Sequence, residues 1–451
     1  MNILIVGDGK VGYTLAEDLS AEGHDVTVVD SNPEALERAE EALDVLCVHG
    51  SGTDVKTLLE AGVENADILI SVMASDEINM ICSMMGKHLG AKYVITRIRS
   101  PEYTDSLSLL QNSMGIDMVI NPERGAAQEI SQLFRYPFVV DIETFARGRV
   151  ELAGFLPEES DGLFGIPLKE LGSRFVKVLC CACERDDRAI IPDGNFVIKP
   201  GDKLYVAGDL MSITHFFKKL GRNIQRVRSA VLIGGGHISY YLAKTIAGMG
   251  VDLRIIEIKP EKCKYLAQVL QDVTVINADG TDQKLLMSEN LSEMDAMVCL
   301  TDRDEENLMA GLFGVREGAK KVIVKVNRLG YLDLIKGMGI DSVISPTRTT
   351  ANNILRQVRA RARSRDSVVE KIHRAVGGQV EALQFTVNED APYLNIPLSR
   401  LRIQKGVLVA VIVRKKQVII PFGSDHIEAG DTVILMTRTS GISSLEEALQ
   451  R

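Results

Sequence analysis

Apolar positions along this chain follow two rhythms. Residues 3–6 (Ile3-Leu4-Ile5-Val6) form a run of four, too short for a helix and closed by Gly7. Behind it Val11, Leu15 and Leu19 recur every fourth position, which is one face of a helix. A second run fills 26–29. Pro33 then opens another helical stretch, with Asn32 as its cap and Leu36 and Leu43 as its apolar positions. Further runs occupy 45–48, 68–72, 94–98 and 118–120. Short continuous runs alternating with helical stripes predict βαβ units and a parallel sheet buried on both faces. About six strands of this kind predict a doubly wound α/β, Rossmann-like domain.

The rhythm then changes. Short β runs at 175–183, 189–191, 196–198 and 203–207 are separated by turns at Asp186-Asp187, Asp193-Gly194 and Pro200-Gly201-Asp202. They predict a small α+β module, joined to the first domain by a helical crossover over 123–136.

The whole pattern occurs twice. Gly7-Asp8-Gly9-Lys10-Val11-Gly12 returns as Gly234-Gly235-Gly236-His237-Ile238-Ser239, an offset of 227. Gly90-Ala91-Lys92 returns as Gly318-Ala319-Lys320 at 228, and Gly115-Ile116-Asp117 as Gly339-Ile340-Asp341 at 224. Ile166-Pro167-Leu168 returns as Ile396-Pro397-Leu398 at 230, and Gly201-Asp202 as Gly430-Asp431 at 229. In the second copy the β runs of the small module lie at 406–413, 418–420 and 432–436. The expected organisation is a Rossmann-like domain over 1–122, a crossover helix and small module over 123–226, a second Rossmann-like domain over 227–346, and a second crossover and module over 347–451.

The first glycine cluster has the form G-x-G-x-x-G, between a β run and a helical stripe, which is the dinucleotide-binding context. Gly7 permits the tight turn, Gly9 lets a pyrophosphate approach the backbone, and Gly12 lets helix and strand pack closely. Asp8, Lys10 and Val11 complete the turn, whose helix N-terminus attracts an anion. Asp30, at the end of the second run, is placed to accept hydrogen bonds from ribose hydroxyls. No Arg follows it immediately to hold a 2′-phosphate, so NAD or NADH is expected rather than NADP.

In the second copy Gly234, Gly235 and Gly236 keep the turn, while Ser239 replaces the third glycine, which loosens or shifts the helix packing. Glu257 takes the place of Asp30, with Lys259 close by. NAD(H) or a mononucleotide such as ATP or ADP fits this site. Ligands in doubly wound sheets sit beyond the carboxyl ends of the strands. That adds Ser51, Gly52, Met73, Ala74 and Arg97 in the first copy, and Asp279, Thr301 and Asp302 in the second, with Lys325 matching Arg97.

Composition narrows the class. The chain has 451 residues, 45% apolar and 25% charged, which is ordinary globular usage. The net charge of −9 gives no field to hold nucleic acid or an anionic membrane. The longest clean apolar run, 407–413, is far short of a membrane span, and residues 1–8 lack the pattern of a signal peptide. Seven cysteines, an odd number, suit a reducing compartment.

Cys180-Cys181-Ala182-Cys183 reads as a packed strand, with alternation placing Cys181 opposite Cys180 and Ala182. The Arg-rich stretch carrying Arg348, Arg356, Arg359, Arg361, Arg363 and Arg365 is open to two readings. One is a solvated amphipathic helix, the other a docking surface for an acidic partner or a phosphate. None of the seven histidines recurs in both copies, and no P-loop or G-x-S-x-G is present, so the chain binds nucleotide without transforming it. The alternatives are an NAD-dependent oxidoreductase, or a regulator of another cation transporter.

Taken together, the glycine turn, the strand-end Asp, the Gly-Ser-Gly-Thr loop, the Asn-Pro and Ser-Pro exits and the doubled small module resemble the RCK (KTN) family. Within it, the chain is similar to cytosolic NAD-binding subunits of potassium-uptake systems. The resemblance covers essentially the whole chain. It implies a gating ring of four chains, peripheral on the cytoplasmic face of the membrane, beneath an integral membrane potassium-translocating subunit. It also implies NAD(H) binding, and in some members ATP or ADP. It carries pyrophosphate to Gly7, Gly9, Lys10 and Val11, ribose to Asp30, and further contacts to Met73, Ala74 and Arg97. The second-site counterparts are Gly234, Gly236, His237, Ile238, Glu257, Thr301 and Asp302. A ligand bridging a cleft between hinged lobes would then bias one lobe arrangement over another.

Overall fold

The structure is a computed structural model. It describes residues 1–450 except 175–176, 223, 329, 332–337, 363–368, 439–440 and 443. In the first copy the strands are β1 (Asn2–Val6), β2 (Asp25–Asp30), β3 (Leu46–His49), β4 (Ile68–Ser71), β5 (Tyr93–Arg97) and β6 (Met118–Ile120). Between them run α1 (Lys10–Ala21), α2 (Pro33–Ala42), α3 (Val55–Glu60), α4 (Asp76–Leu89) and α5 (Leu107–Met114). The sheet order is β3-β2-β1-β4-β5-β6, with every pairing parallel. Each predicted run is therefore a strand, and burial on both faces explains why the central β1 and β4 read as unbroken apolar stretches. Asn32 caps α2 by accepting from the Glu34 N–H, with Pro33 in the first turn.

The small module follows α6 (Pro122–Leu133). It contains β7 (Val139–Phe145), β8 (Val150–Phe155), α7 (Leu168–Arg174), β9 (Val178–Arg185), β10 (Arg188–Ile190), β11 (Lys203–Asp209) and α8 (Leu210–Lys219). Its antiparallel sheet has the order β10-β9-β11-β8-β7. Two of these strands, β7 and β8, were not expected, whereas the run at 196–198 is no strand and makes only an isolated bridge from Val197 to Pro167. In β9 the alternation expected at Cys181 fails. Tyr205 pairs with Ala182 and Val206 with Cys180, so Cys181 is the extra residue of a bulge.

The second copy repeats this plan with β12 (Ser229–Ile233), α9 (His237–Ile246), β13 (Asp252–Glu257), α10 (Pro260–Val269), β14 (Val273–Asn277), α11 (Gln283–Ser288), β15 (Ala296–Cys299), α12 (Asp304–Arg316), β16 (Val322–Lys325) and β17 (Ser342–Ile344). Its parallel order is β14-β13-β12-β15-β16-β17. After α13 (Pro346–Ala362) come β18 (Val369–Ala375), β19 (Val380–Thr386), β20 (Arg402–Ile403), β21 (Val407–Arg414), β22 (Gln417–Ile419) and β23 (Thr432–Thr437), with α14 (Leu445–Ala448) and β24 (Leu449–Gln450) at the end. The second antiparallel sheet runs β18-β19-β23-β21-β22.

The four pieces regroup across the repeat. Unit 1 holds both parallel-sheet domains (Met1–Ser131 and Arg228–Val358), and unit 2 holds both small modules (Gln132–Val227 and Arg359–Arg451). Inside unit 1, the Tyr241 hydroxyl on α9 donates to Arg99 O at 2.9 Å and accepts from Asn121 Nδ2 at 3.0 Å. Inside unit 2 one buried cluster draws on both modules, with Phe145, Leu152 and Tyr205 from the first and Val380, Val411 and Met436 from the second.

Of the arginines singled out in the sequence, Arg363 and Arg365 lie outside the described residues. Arg359 faces inward: it is 3% exposed and bonds both Glu381 oxygens at 3.0 and 3.1 Å. Arg135 and Glu151 form the matching pair in the first copy.

Candidate functional site

Each site begins with a turn that only glycine can make. Gly7 has φ +105°, and a Cβ there would lie 2.9 Å from Met73 N. Gly234 repeats the same φ, with a Cβ 3.0 Å from Thr301 N. Gly12 packs so tightly that a Cβ would lie 1.8 Å from Gly7 O. Ser239 therefore cannot sit as Gly12 does. Both helices nevertheless start at equivalent positions behind extended N-caps, and the Ser239 hydroxyl donates to Gly234 O at 2.5 Å. A Cβ on Gly9 or Gly236 would meet nothing within 4 Å. Both are extended N-cap residues without a side-chain capping bond, so the helix-end N–H groups beyond them are not covered by a cap. Lys10 and His237 follow them, and Val11 and Ile238 are buried behind.

The strand-end carboxylates are held identically. Asp30 accepts from Asp8 N through Oδ2 at 2.6 Å and from Asn32 N through Oδ1 at 2.8 Å. Glu257 accepts from Gly235 N and Lys259 N, both at 2.8 Å. Each oxygen is fixed by one backbone donor and keeps lone-pair capacity for ribose hydroxyls. Glu257 is the deeper of the two, 7% exposed. Beside Asp30, both Asp8 carboxylate oxygens are buried without a hydrogen-bond partner. Burial, and then the charge of Asp30, push the Asp8 carboxyl up to about 6.

The candidate loops follow the carboxyl ends of β3, β4, β14 and β15. Ser51 Oγ lies 2.9 Å from Thr53 Oγ1, and Gly52 is buried against Val6. Asp279 accepts from Thr281 N and Oγ1 at 2.9 and 2.7 Å. Arg97 donates to Met73 O at 2.5 Å and so braces the β4 loop that carries Met73 and Ala74. Lys325 lies 3.7 Å from the almost fully exposed Asp302 carboxylate.

Sequence reasoning passed over two residues that organise these loops. Asn79, fully buried, accepts from Ser71 Oγ and Met73 N and donates to Met73 O and Arg97 O. Asn307 bonds Thr301 N, Thr301 O and Lys325 O in the same way. Asp76 and Asp304, three residues before them, take the N–H groups of Arg99 and Ser100, and of Asn327 and Arg328. The signal was present: Asp76-Glu77-Ile78-Asn79 returns as Asp304-Glu305-Glu306-Asn307 at offset 228.

The two sites share charges within unit 1. Burial and then Arg99, a residue of the first domain, hold the His237 imidazole below its usual value, with Asp76 opposing. Burial lowers the Lys325 ammonium, which also feels Glu123 and Lys10 of the first domain. Burial raises the Glu123 carboxyl, with Arg99 and Arg97 opposing. Elsewhere, burial pushes the Cys181 and Cys183 thiols up to about 12, which keeps them protonated packing groups. Among the described residues no cluster of three or more His, Cys, Asp or Glu could hold a metal ion, and no helix is long and apolar enough to cross a membrane.

Comparison with known proteins identifies the domains. The TrkA-N domain model matches residues 3–122 and 230–346, and the TrkA-C domain model matches 152–221 and 382–450. The chain is 34% identical over 458 residues to Trk system potassium uptake protein TrkA homolog 1 of Methanosarcina mazei, covering 99% of both chains. It is 30% identical over 463 residues to the Haemophilus influenzae protein named Trk system potassium uptake protein TrkA, covering 100% of this chain and 99% of that one. Among solved structures it resembles the GsuK channel bound to NAD, with TM-score 0.63 and 19% identity over 97% of this chain and 77% of that one. It also resembles the GsuK RCK domain, with TM-score 0.62 and 18% identity over 97% and 92%. At these identities the likeness is one of fold. The relatives are named as uptake proteins and not as enzymes, as the absence of a recurring acid/base residue led us to expect.

Proposed function

Because the chain belongs to the TrkA family, with both of its domains present twice, we propose that it is the nucleotide-sensing regulatory subunit of a potassium uptake system. It works as a homotetrameric ring on the cytoplasmic face of the membrane, beneath a TrkH-like potassium-translocating subunit. The observation that carries the reading is the duplicated site of unit 1. It has two glycine turns open at Gly9 and Gly236, each beside a carboxylate oriented by two backbone donors.

In the first site the N–H groups of Gly9, Lys10 and Val11 receive the pyrophosphate of NAD or NADH, and Asp30 receives ribose hydroxyls. Ser51, Gly52, Met73, Ala74 and Arg97 form the surrounding wall. The second site takes NAD(H), ATP or ADP at Gly236, His237 and Ile238, with Glu257 on the ribose and Asp279, Thr301 and Asp302 around it. GsuK has been solved bound to NAD and bound to ADP, which supports both ligand classes for this fold. Because Tyr241 on α9 of the second domain bonds Arg99 O and Asn121 of the first, occupancy of one site bears on the other. Couplings of this kind are typically about 1–3 kcal/mol, and several sites in a ring add.

Calorimetric titration of the full chain with NAD, NADH, ATP and ADP tests this reading. Binding is expected at both sites, and Gly9→Val removes the first without lowering the melting temperature. Potassium flux through the co-expressed membrane subunit then changes with the bound nucleotide. Absence of heat with all four compounds, or multiple-turnover consumption of NADH, would overturn the reading.

A further inference from the structure

Unit 2 pairs two modules of matching sequence, yet the surfaces that meet are unlike. Strand β7 of the first module corresponds to β18 of the second at an offset of 230, so Asp141 matches Lys371 and Glu143 matches His373. The acids stand in one copy and the bases in the other, and they meet. His373 Nε2 lies 3.4 Å from Asp141 Oδ2, and its Nδ1 lies 3.5 Å from Glu143 Oε2. Lys371 Nζ donates to Glu143 Oε1 at 2.7 Å and to Thr144 O. Although burial disfavours its charge, Asp141 and Glu143 hold the His373 imidazolium up to about 10. Lys203 on β11, separated from β7 by β8 in the same sheet, also feels the Asp141 charge.

Apolar positions on the same surface are unlike as well. Phe145 matches Ala375 and Leu152 matches Ala382, both at offset 230; Tyr205 matches Ile434 and Ala207 matches Met436, both at 229. All eight sit in the one buried cluster that draws on both modules. At each position a larger side chain in one module stands where the other is smaller. Contacts cross between them: Lys371 Nζ lies 5.3 Å from the Phe145 ring centre, Val376 N donates to Tyr205 Oη at 3.4 Å, and Ala146 N donates to Gln384 Oε1 at 2.7 Å.

We infer that this interface is specific for unlike partners: the first small module accepts the second and rejects another copy of itself. Two first modules brought together would confront Asp141 and Glu143 with their own copies and double the larger side chains Phe145, Leu152 and Tyr205. Two second modules would confront Lys371 and His373 with their copies and leave gaps at Ala375 and Ala382. Specificity of this kind comes from the penalty on the wrong pair as much as from the fit of the right one. A chain therefore satisfies its module interface internally, and copies of the chain meet through other surfaces.

Charge reversal in the full chain tests the inference. Asp141→Lys with Glu143→Lys makes both faces basic, and Lys371→Glu with His373→Glu makes both acidic. Each double variant should melt at least about 5 °C lower than the parent. The quadruple swap should recover most of that loss. If reversal of one face leaves melting unchanged, or the quadruple swap recovers nothing, the inference is wrong. If the double variants do not fold, Glu143→Gln and His373→Gln decide the matter. Coupled losses support pairing by charge, and strictly additive ones overturn it.

Discussion

At the scale of single residues, Asp8 is the most informative departure from its repeat. In the second copy the same position is Gly235, where a Cβ would lie 2.7 Å from Leu266 Cδ1. Position 39, which matches Leu266, is Ala39, so the first copy makes room there and Asp8 occupies it. The result is a buried carboxyl beside Asp30 with no donor of its own. Its folded value near 6 exceeds the unfolded 3.8. Between those values the native state binds more protons than the unfolded chain, so stability falls as pH rises through that window and stays lower above it. Asp8→Asn should therefore raise stability at pH 7.5 by roughly 2 kcal/mol and change little at pH 4. Thermal melts at the two pH values check this, and an equal shift at both would contradict it.

At the scale of elements, the β4–α4 and β15–α12 loops depend on one buried asparagine each. Asn79 ties the end of β4, the loop and the end of β5 together through four hydrogen bonds. Asn79→Ala leaves buried backbone groups of the loop without partners, which costs about 2–4 kcal/mol. Because a Cβ on Gly7 would already touch Met73, a loosened loop also disturbs the glycine turn. Urea unfolding and NADH titration of this variant should show both losses, and an unchanged affinity would separate the loop from the site. Strands β7 and β8 escaped the sequence reading for reasons visible here. A register shift between Val139 and Asp141 breaks the two-residue period of β7. Every residue of β8 is buried, including Glu151, which Arg135 neutralises.

At the scale of the whole molecule, the proposed ring requires a surface other than the interface between the modules of unit 2, which are matched to each other. Helix α4 of unit 1 exposes Ile78, Ile81 and Met84, at 42%, 44% and 40%. Apolar side chains exposed at this spacing suit a contact between copies. Ile78→Glu with Ile81→Glu should lower the mass measured by light scattering to that of a smaller assembly while leaving the melting temperature within about 2 °C, as surface substitutions do. A mass identical to the parent would move the ring contact elsewhere.

The glycine turns, the two parallel sheets, the carboxylates at the ends of β2 and β13, and the duplication were all legible in the chain itself, whereas the order of the strands came from the structure. These features are local: the period of burial, the steric demand for positive φ and the spacing of a motif are written within a few residues. Which piece packs against which was not. The chain groups its domains as like with like across the repeat, turns Arg359 inward onto Glu381, and sets Asp141 and Glu143 against Lys371 and His373, residues more than 225 positions away. A pattern along the chain reports that a residue is buried. The identity of its partner depends on long-range packing and charge complementarity, which exist only once the chain has folded.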